Sequence, residues 1–292
     1  MTKARIKALR EALTAHGFAG WIQPRADEFQ GEYVPPSADR LAWLTGFTGS
    51  AGISVVLQDK AAVFSDGRYT LQLTQETAPD IFETRHSIEA PANDWVSANL
   101  AKGQILAYDP WLLTPSEVQK FKDAAAKAGG SLEAAPQNLV DAVWTDRPAP
   151  PQAPIVPHLL DYAGEASADK RARLAADLAG KDLDAALLTA PDGVAWLLNV
   201  RGGDVAHTPL PLSFAILGAD AGVSWFVDAA KLDGNVREWV GNQVDIQPFE
   251  QFPAALEAFN GKRVLVPRSA PAATNQILEA NGAEVTSGDD PT

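Results

Sequence analysis

Cysteine is absent from this chain of 292 residues, and histidine is scarce. The missing thiols exclude disulfide bridges, thiolate-bound zinc and a cysteine nucleophile. The four histidines are scattered, and none belongs to an H-E-x-x-H pair or to a similar helical arrangement that would build a zinc site: His16, His86, His158 and His207. Because a zinc site needs clustered ligands, the sequence predicts neither a metal site nor a catalytic residue within the chain.

Positive charge and long apolar segments are also lacking. Lys and Arg total 24 against 37 Asp and Glu, which gives a formal net charge of −13. Such a chain repels phosphate backbones, so we expect no nucleic-acid partner. The opening residues, MTKARIKALREALTAHG, carry charges every few positions, unlike a secretory signal, and no later segment reaches the apolar length of a membrane span. We therefore expect a cytoplasmic protein without membrane contact.

The pattern of apolar residues predicts an α/β fold. Ile6, Leu9 and Leu13 fall on one face of an amphipathic helix over residues 3–16, and a short strand, AGWIQP, follows it. GISVVLQ and AAVFSDG are predicted strands joined by the polar turn QDK. GQILAYDP is a further strand, and SEVQKFKDAAAKAGG is a helix that we expect to be opened by Ser116. These elements complete one α/β unit.

Two domains are predicted, over residues 1–150 and 151–292. The boundary lies in TDRPAPPQAPIVPHLLDY, where five prolines favour an extended connection. The second half then repeats the first: ADRLAWLTGFTGSAG resembles PDGVAWLLNVRGGDV, with Trp43 opposite Trp196. After each comes an apolar strand and then a second strand that ends in an acid, VFSD or WFVD. We infer an internal duplication with a period of about 150 residues.

Two segments combine charge with a restricted backbone. SDGRY places Arg68 beyond a strand and beside a glycine, where its planar guanidinium can bind a carboxylate or a carbonyl. A salt bridge from Arg68 to Asp66 is the alternative interpretation. NVRGGDVAHTP places Arg201, Asp204 and His207 on a glycine-containing loop, and such loops often carry function. A structural role is the alternative for a single imidazole such as His207.

Other candidate motifs predict structure more than chemistry. No G-x-S-x-G elbow surrounds a candidate serine, and GFTGSAG around Ser50 lacks the spacing and the lysine of a phosphate loop. Its glycines instead predict a tight turn with close backbone approach. Asp66, Asp204 and Asp228 are acids near strand ends and glycines, where a ligand can lie, yet acids at strand ends usually cap turns or helices.

Four strings of the sequence carry a resemblance. EYVPPSADRLAWLTGFTGSAG, AAVFSDGRYTLQ, NLVDAVWTDRP and AWLLNVRGGDVAHTPLPLSFAIL occur in this order. Together they resemble the amino-terminal region of the aminopeptidase P family, in its larger three-domain form, from about residue 28 to residue 230. The resemblance implies an α/β fold with two tandem creatinase/prolidase N-terminal-type domains, each a mixed sheet flanked by helices.

The resemblance also implies a function. In that family two such domains precede a pita-bread metallopeptidase domain, which binds two divalent metal ions, usually manganese, and releases the N-terminal residue before a proline. None of its ligand segments occurs in this chain. We therefore expect a non-catalytic region of an Xaa-Pro aminopeptidase that shapes the substrate cleft and supplies subunit contacts, inactive alone. The implied partners are a peptide with proline in second position, the protein's own C-terminal catalytic domain and, in a homodimer, a second subunit.

Three residues are expected to bind substrate on the basis of the resemblance. Arg68 matches the arginine of the family's D-G-R-Y string, which lies towards the catalytic cleft. Asp204 and His207 match its R-G-S-D-V-x-H-N-P loop, from which this sequence departs at Gly203 and Thr208. Two other interpretations stay open: a stand-alone small-molecule or peptide-binding module, and the amino-terminal part of a creatinase-like amidinohydrolase. The strings W-T-D-R-P and R-G-G-D favour aminopeptidase P.

Overall fold

A computed structural model describes residues 1–292 and divides into two compact units. Unit 1 comprises Met1–Glu28 and Glu32–Pro150. Unit 2 comprises Phe29–Gly31 and Pro151–Thr292. The main division therefore falls inside the proline-rich segment, where prolines fix the backbone in extended conformations and exclude regular helix.

Unit 1 is built on a six-stranded mixed sheet. Its strands are β1 (Gly20–Pro24), β2 (Ile53–Leu57), β3 (Ala61–Ser65), β4 (Glu83–His86), β5 (Ile105–Tyr108) and β6 (Ser131–Ala134). Across the sheet the order is β4-β3-β2-β1-β5-β6. The β2 strand runs antiparallel to both β1 and β3, and every other neighbouring pair is parallel. The turn between β2 and β3 is the predicted QDK, closed by a 2.8 Å bond from the Leu57 amide to the Lys60 carbonyl.

Helices cover both faces of this sheet. They are α1 (Thr2–Ala15), α2 (Arg40–Thr45), α3 (Thr70–Glu76), α4 (Ala92–Asn99), α5 (Pro115–Lys127) and α6 (Leu139–Val143), with a 3₁₀ turn at Pro36–Ala38. Successive strand side chains point to opposite faces, so Trp21 packs in one apolar cluster with α1, α2 and α6, and Ile22 packs in a second with α4 and α5. Every residue of β1 is buried, as expected for a strand covered on both sides.

The helix predicted to be opened by Ser116 begins one residue earlier. Thr114 is its N-cap, followed by Pro115 at the first helical position. The Thr114 hydroxyl accepts a bond from the Glu117 amide at 3.4 Å, and the Glu117 carboxylate accepts one from the Thr114 amide at 2.8 Å. This capping box satisfies two backbone donors at once, and Pro115 needs no donor there, so Thr114 starts the helix better than Ser116 does.

Unit 2 contains a second six-stranded mixed sheet. Its strands are β8 (Ala185–Leu188), β10 (Phe214–Gly218), β11 (Val223–Phe226), β12 (Val244–Gln247), β13 (Arg263–Pro267) and β14 (Glu284–Gly288), and a separate two-stranded sheet pairs β7 (Val156–Pro157) with β9 (Val200–Arg201). The order is β12-β11-β10-β8-β13-β14, with β10 antiparallel to both neighbours and the other pairs parallel. Position by position this repeats the topology of unit 1, so the duplication inferred from the sequence extends to the fold.

The helices of unit 2 also lie on both faces of its sheet. They are α7 (Leu160–Ala163), α8 (Ser167–Gly180), α9 (Pro191–Leu198), α10 (Gly234–Val240), α11 (Phe252–Glu257) and α12 (Ala272–Ala280), with 3₁₀ turns at Ala229–Lys231 and Phe249–Gln251. One face forms an aliphatic cluster around Trp225 with α8, α9 and α10. The other is aromatic: Phe252 lies 4.6 Å from Phe214 and 5.1 Å from Phe226 between ring centroids. Phe29 belongs to this aromatic group, 4.7 Å from Phe214.

These observations confirm the predicted fold class, two α/β domains each with a mixed sheet flanked by helices. None of the helices combines the length and the hydropathy that crossing a bilayer requires.

Candidate functional site

The SDGRY segment forms the turn that leads from β3 into α3. The Asp66 carboxylate accepts a bond from the Arg68 amide at 3.0 Å, and the Tyr69 amide donates to the Asp66 carbonyl at 3.1 Å. An aspartate that bonds an amide two residues ahead closes the chain into an Asx turn. The turn sends the Arg68 side chain outward, where 60% of it is exposed to solvent.

Arg68 and Asp66 form an ion pair along one edge of the guanidinium. Nε donates to the two carboxylate oxygens at 3.0 and 3.3 Å, and Nη2 donates to Oδ2 at 2.8 Å. These bonds from Arg68 lower the pKa of Asp66 and raise the pKa of Arg68. Because a guanidinium has five N–H donors, the pair leaves both Nη1 protons without a protein acceptor. The predicted alternative, a salt bridge to Asp66, is therefore present, and it occupies only part of Arg68.

Tyr69 connects this turn to the GFTGSAG loop between α2 and β2. Its hydroxyl lies 2.8 Å from Ser50 Oγ, and this hydrogen bond lowers the pKa of Tyr69. Its ring meets Phe47 edge-on at 5.8 Å, and the Arg68 guanidinium carbon lies 5.2 Å from the ring centroid. The SDGRY and GFTGSAG segments of unit 1 thus lie in contact, and the Tyr69 ring lies beside the Arg68 guanidinium.

Glycines allow the loop to approach its neighbours as closely as the sequence predicted. A Cβ atom at Gly49 would lie 2.3 Å from Phe47 Cζ and 2.9 Å from Tyr69 Cδ1. Gly46 ends α2 with φ of 91°, a left-handed conformation, and its Cβ would lie 2.7 Å from the Glu76 carbonyl oxygen. Only glycine fits both constraints without displacement of backbone or rings.

Polar side chains of α3 hold the same loop from the other side. The Glu76 carboxylate accepts bonds from the Thr48 amide at 2.8 Å and the Thr48 hydroxyl at 2.9 Å, and Gln72 donates to Thr48 Oγ1 at 3.0 Å. Ser50 Oγ also lies 3.5 Å from a Glu32 carboxylate oxygen. We call the ensemble of loop 46–52 and turn 66–69 the Arg68 surface. It presents one partly satisfied cation on a braced backbone.

Asp204 in unit 2 lies in a different environment from Arg68. Its side chain has no solvent exposure. Oδ2 accepts bonds from Lys231 Nζ and from the Leu212 amide, both at 2.7 Å, and Oδ1 accepts one from the Ala153 amide at 3.3 Å. A buried carboxylate with this many donors holds its loop in place, and it has no face turned to solvent in this chain.

His207, the other predicted residue of this loop, is exposed at its tip. Its backbone has φ of 61°, and the flanking residues close the tip through a 3.2 Å bond from the Thr208 amide to the Val205 carbonyl. His207 lies in a stretch, residues 206–213, that has no counterpart in unit 1, where β2 follows the glycine loop at once. The structure therefore separates His207 from Asp204 by exposure, although the two are close in sequence.

Two buried lysines of unit 2 were missed by the sequence reasoning. Lys231 is the partner of Asp204, and no spacing signal connects two residues on different loops. Lys170 donates to the Trp196 carbonyl at 2.9 Å and to Asn199 Oδ1 at 2.6 Å, and its Nζ lies 4.2 Å from the Trp196 ring centroid. Burial lowers the pKa of Lys170. Lys170 lies on α8 and contacts the end of α9. An alignment of α8 with α1, the helices that precede the matching strands β8 and β1, would have indicated this residue.

The donor set of the chain does not fit a metal centre. No three His, Asp or Glu side chains in residues 1–292 are grouped so that they could hold an ion. The two divalent ions implied by the resemblance therefore have no set of ligands in this chain.

The shared topology and the two glycine-containing loops define a class of protein: a tandem pair of six-stranded α/β domains, duplicated within one chain. More particularly, the chain belongs to the creatinase/prolidase N-terminal domain family. Two families described as "Creatinase/Prolidase N-terminal domain" match the chain, one over residues 5–141 and the other over residues 146–292. The resemblance stated from the sequence strings is thus confirmed.

Named relatives agree with this assignment. The chain is 34% identical to "Probable Xaa-Pro aminopeptidase P" of Coccidioides posadasii over 88% of this chain and 42% of that protein. For the protein of the same name in Aspergillus niger the identity is 32%, over 90% of this chain and 43% of that protein. The chain spans less than half the length of these curated relatives.

A solved structure matches almost the whole chain. It is the X-prolyl aminopeptidase of Caenorhabditis elegans, described as a cytosolic enzyme with a di-nuclear active site. The TM-score is 0.91 at 25% identity, and the match covers 99% of this chain and 50% of that chain.

Proposed function

We propose that this chain is the non-catalytic amino-terminal region of a cytoplasmic Xaa-Pro aminopeptidase, which removes the residue before a proline in second position. The observation that carries the proposal is the match of 99% of the chain to half of an X-prolyl aminopeptidase, at a TM-score of 0.91. In this proposal the hydrolysis and two divalent metal ions, manganese in the first instance, belong to a C-terminal domain. The chain alone then positions substrate and does not react with it.

The Arg68 surface is the part of the chain that we assign to the peptide. Asp66 occupies the Nε and Nη2 edge of Arg68, so the ion pair orients the guanidinium and leaves Nη1 free to donate. A planar fork of this kind suits a carbonyl or carboxylate oxygen of a peptide. The salt bridge and the ligand-binding interpretation of Arg68 are therefore compatible.

The loop that carries Asp204 and His207 has a divided role in this proposal. Asp204 positions the loop through its buried bonds, and exposed His207 is the residue of the loop that can contact substrate or a second subunit. In this proposal Asp204 therefore has a structural role, and His207 has a binding role, within one loop. In a homodimer, such exposed segments would supply the subunit contacts.

A comparison of two polypeptides tests the proposal. We expect the pure 292-residue chain with manganese to leave Xaa-Pro peptides intact, and the full-length protein to hydrolyse them in a chelator-sensitive manner. Turnover by the chain alone that a chelator abolishes would refute the assignment of catalysis to another domain. Inactive full-length protein that still binds small molecules would instead favour a stand-alone binding module.

A further inference from the structure

Five glycines of the chain directly follow an aspartate or an asparagine. In such a pair the glycine nitrogen can attack the carboxyl or amide carbon of the preceding side chain and close a cyclic imide, because glycine has no Cβ to hinder the approach. The pairs are Asp66–Gly67, Asp192–Gly193, Asp233–Gly234, Asn260–Gly261 and Asn281–Gly282. Which of them can react depends on how each glycine nitrogen is held.

The backbone restrains three of these glycines. The amide of Gly261 donates to the Gly282 carbonyl at 3.0 Å, and the amide of Gly282 donates to the Glu279 carbonyl at 3.1 Å. Gly193 lies in the first turn of α9, and its amide donates to the Asp192 carboxylate at 3.0 Å. A nitrogen that is bonded in a turn or fixed in a helix attacks only after that local structure opens, so these three pairs are protected.

Gly67 has no such restraint. It is exposed in the turn 66–69, and its amide donates to no protein acceptor. The Asp66 side chain before it is 26% exposed, so water reaches it. Apart from chain neighbours, the only atom within 4 Å of a Cβ built on Gly67 is His86 Nε2, at 3.5 Å. The Asp66–Gly67 pair therefore combines a free nitrogen with an accessible carboxyl group.

Arg68 opposes the reaction in two ways. Its amide and its side chain donate four bonds to the Asp66 carboxylate, between 2.8 and 3.3 Å, and the carboxyl carbon turns onto the Gly67 nitrogen only when these bonds break. Arg68 also lowers the pKa of Asp66, and His86 is the other titratable side chain that lowers it. The uncharged carboxyl is the form that can lose its hydroxyl, so a lowered pKa leaves less of the reactive form near neutral pH.

We propose that Asp66–Gly67 is a site of spontaneous isoaspartate formation and that the Arg68 side chain suppresses this modification. In the reaction the Gly67 nitrogen bonds to the side-chain carboxyl carbon of Asp66, and the carboxyl hydroxyl leaves with the amide proton as water. A water molecule then opens the imide. Cleavage of the bond from the nitrogen to the main-chain carbonyl carbon yields isoaspartate, and cleavage of the bond to the side-chain carbonyl carbon restores aspartate.

The modification would disable the Arg68 surface. Isoaspartate adds a methylene group to the main chain between β3 and α3 and moves the carboxylate onto the Cα atom, so the Asx turn and the ion pair lose their geometry. Arg68 would then no longer be oriented by Asp66. The arginine thus has a protective task that needs no ligand, and the inference does not depend on the proposed function.

Asp233–Gly234 in unit 2 provides an internal reference. Gly234 is also exposed. Asp233 caps α10 by accepting a bond from the Val236 amide at 2.9 Å, and no cation pairs with it. The pair has the same reactive atoms without an arginine on the carboxylate, so it reports any general loosening of the protein.

Isotope labelling of the 292-residue chain tests the inference. The chain is kept near neutral pH in water enriched in the heavy oxygen isotope, each opening of an imide inserts one heavy oxygen atom, and mass spectrometry of proteolytic fragments counts it. Arg68→Ala should label the Asp66 fragment several times faster than the unaltered chain does, with labelling at Asp233 unchanged. Arg85→Ala is the matched control, because this exposed arginine pairs with Glu83, and it should change neither site.

Gly67→Ala in the Arg68→Ala background identifies the attacking nitrogen. The added Cβ meets only His86 Nε2 at an ordinary contact distance, so the turn accommodates it, whereas the methyl group hinders the attack and should slow the labelling again. Three results would overturn the inference. They are equal labelling of Asp66 in the unaltered chain and in Arg68→Ala, a rise at Asp66 that Asp233 matches, and labelling of Asp66 that persists at the same rate in the double variant.

Discussion

The same turn is used in opposite ways by the two units. In unit 1, Asp66 bonds the Arg68 amide and the arginine points into solvent. In unit 2, Asp228 bonds the Ala230 amide at 2.9 Å, and the next residue, Lys231, points inward to Asp204. A duplicated fold can therefore keep the geometry of a turn while the cationic side chain of that turn points outward in one copy and inward in the other. Unit 1 presents a cation to solvent, and unit 2 uses a cation to hold its longer loop.

The two units also share one interaction, between a cationic side chain and a tryptophan, that is the same in both. Arg5 of α1 donates to the Trp43 carbonyl, and its guanidinium carbon lies 4.7 Å from the Trp43 ring centroid. Lys170 of α8 makes the same two contacts with Trp196. In each unit a cation from the helix before the first strand of the six-stranded sheet contacts the end of the helix before the glycine loop, where helix carbonyls attract positive charge. Anchoring the loop is thus common to both units, and only its outer residues differ.

The largest effect is expected when the inward cation of unit 2 is removed. Lys231→Ala leaves the buried Asp204 carboxylate without its counter-charge, which should cost about 3–5 kcal/mol of unfolding free energy. Urea unfolding followed by tryptophan fluorescence measures the loss. The double variant Lys231→Met with Asp204→Leu should recover part of it, and an unaltered stability of Lys231→Ala would contradict the bracing role.

A smaller loss of stability is expected from a methyl group in the loop of unit 1. Gly49→Ala forces Cβ against Phe47 and Tyr69, and such overpacking typically costs about 1–3 kcal/mol. Gly203→Ala in the corresponding loop of unit 2 is the control, because its Cβ would meet only Ala153 Cβ at 3.5 Å. Equal thermal midpoints for the two variants would argue against a braced Arg68 surface.

The outward cation of unit 1, Arg68, should affect substrate use much more than stability. In the full-length protein, Arg68→Ala should raise KM for Xaa-Pro peptides about tenfold with little change in Tm, since one exposed charge-assisted contact is lost. Arg85→Ala is a matched control, because Arg85 pairs with Glu83 two residues away and is likewise exposed. Unchanged kinetics of Arg68→Ala on several peptides would reduce the Arg68 surface to a structural element.

The smallest effect is an acid titration in the 292-residue chain. Arg68 holds the pKa of Asp66 below its ordinary value, so the pair contributes stability above that ordinary value and loses it as the pH falls through the lowered pKa. NMR titration of the Asp66 carboxyl should show this shift, and Arg68→Ala should remove the part that the arginine side chain causes. A pKa that stays low in the variant would assign the shift to the turn backbone instead.

The sequence predicted those features that depend on periodicity and on local chemistry. The short apolar strands, the helix through Ile6, Leu9 and Leu13, and the matching positions of Trp43 and Trp196 led to the duplicated α/β architecture. The glycines of GFTGSAG predicted a tight approach because a missing Cβ has a direct steric meaning. Such features are encoded within a few residues of one another.

Features that depend on distant pairing were not predictable in this way. Lys231 and Asp204 are separated by 27 residues and lie on different loops, so neither periodicity nor a motif connects them. The motif match grouped Asp204 with His207, yet one is buried and the other exposed, because a string of letters does not record which side chain points inward. The sequence likewise did not predict that Phe29–Gly31 belongs to unit 2, since that segment lies in the first half of the chain.

The edges of both sheets have a consequence for how this protein meets other chains. The edge strands β4, β6, β12 and β14 have only four or five residues each, and each carries charge: Glu83 and Arg85, Glu133, Asp245, and Glu284. Short, charged edges discourage a foreign strand from extending the sheet. Aggregation by strand addition is therefore opposed at the edges of both six-stranded sheets, and partners are directed to recognise side chains on loops and helices.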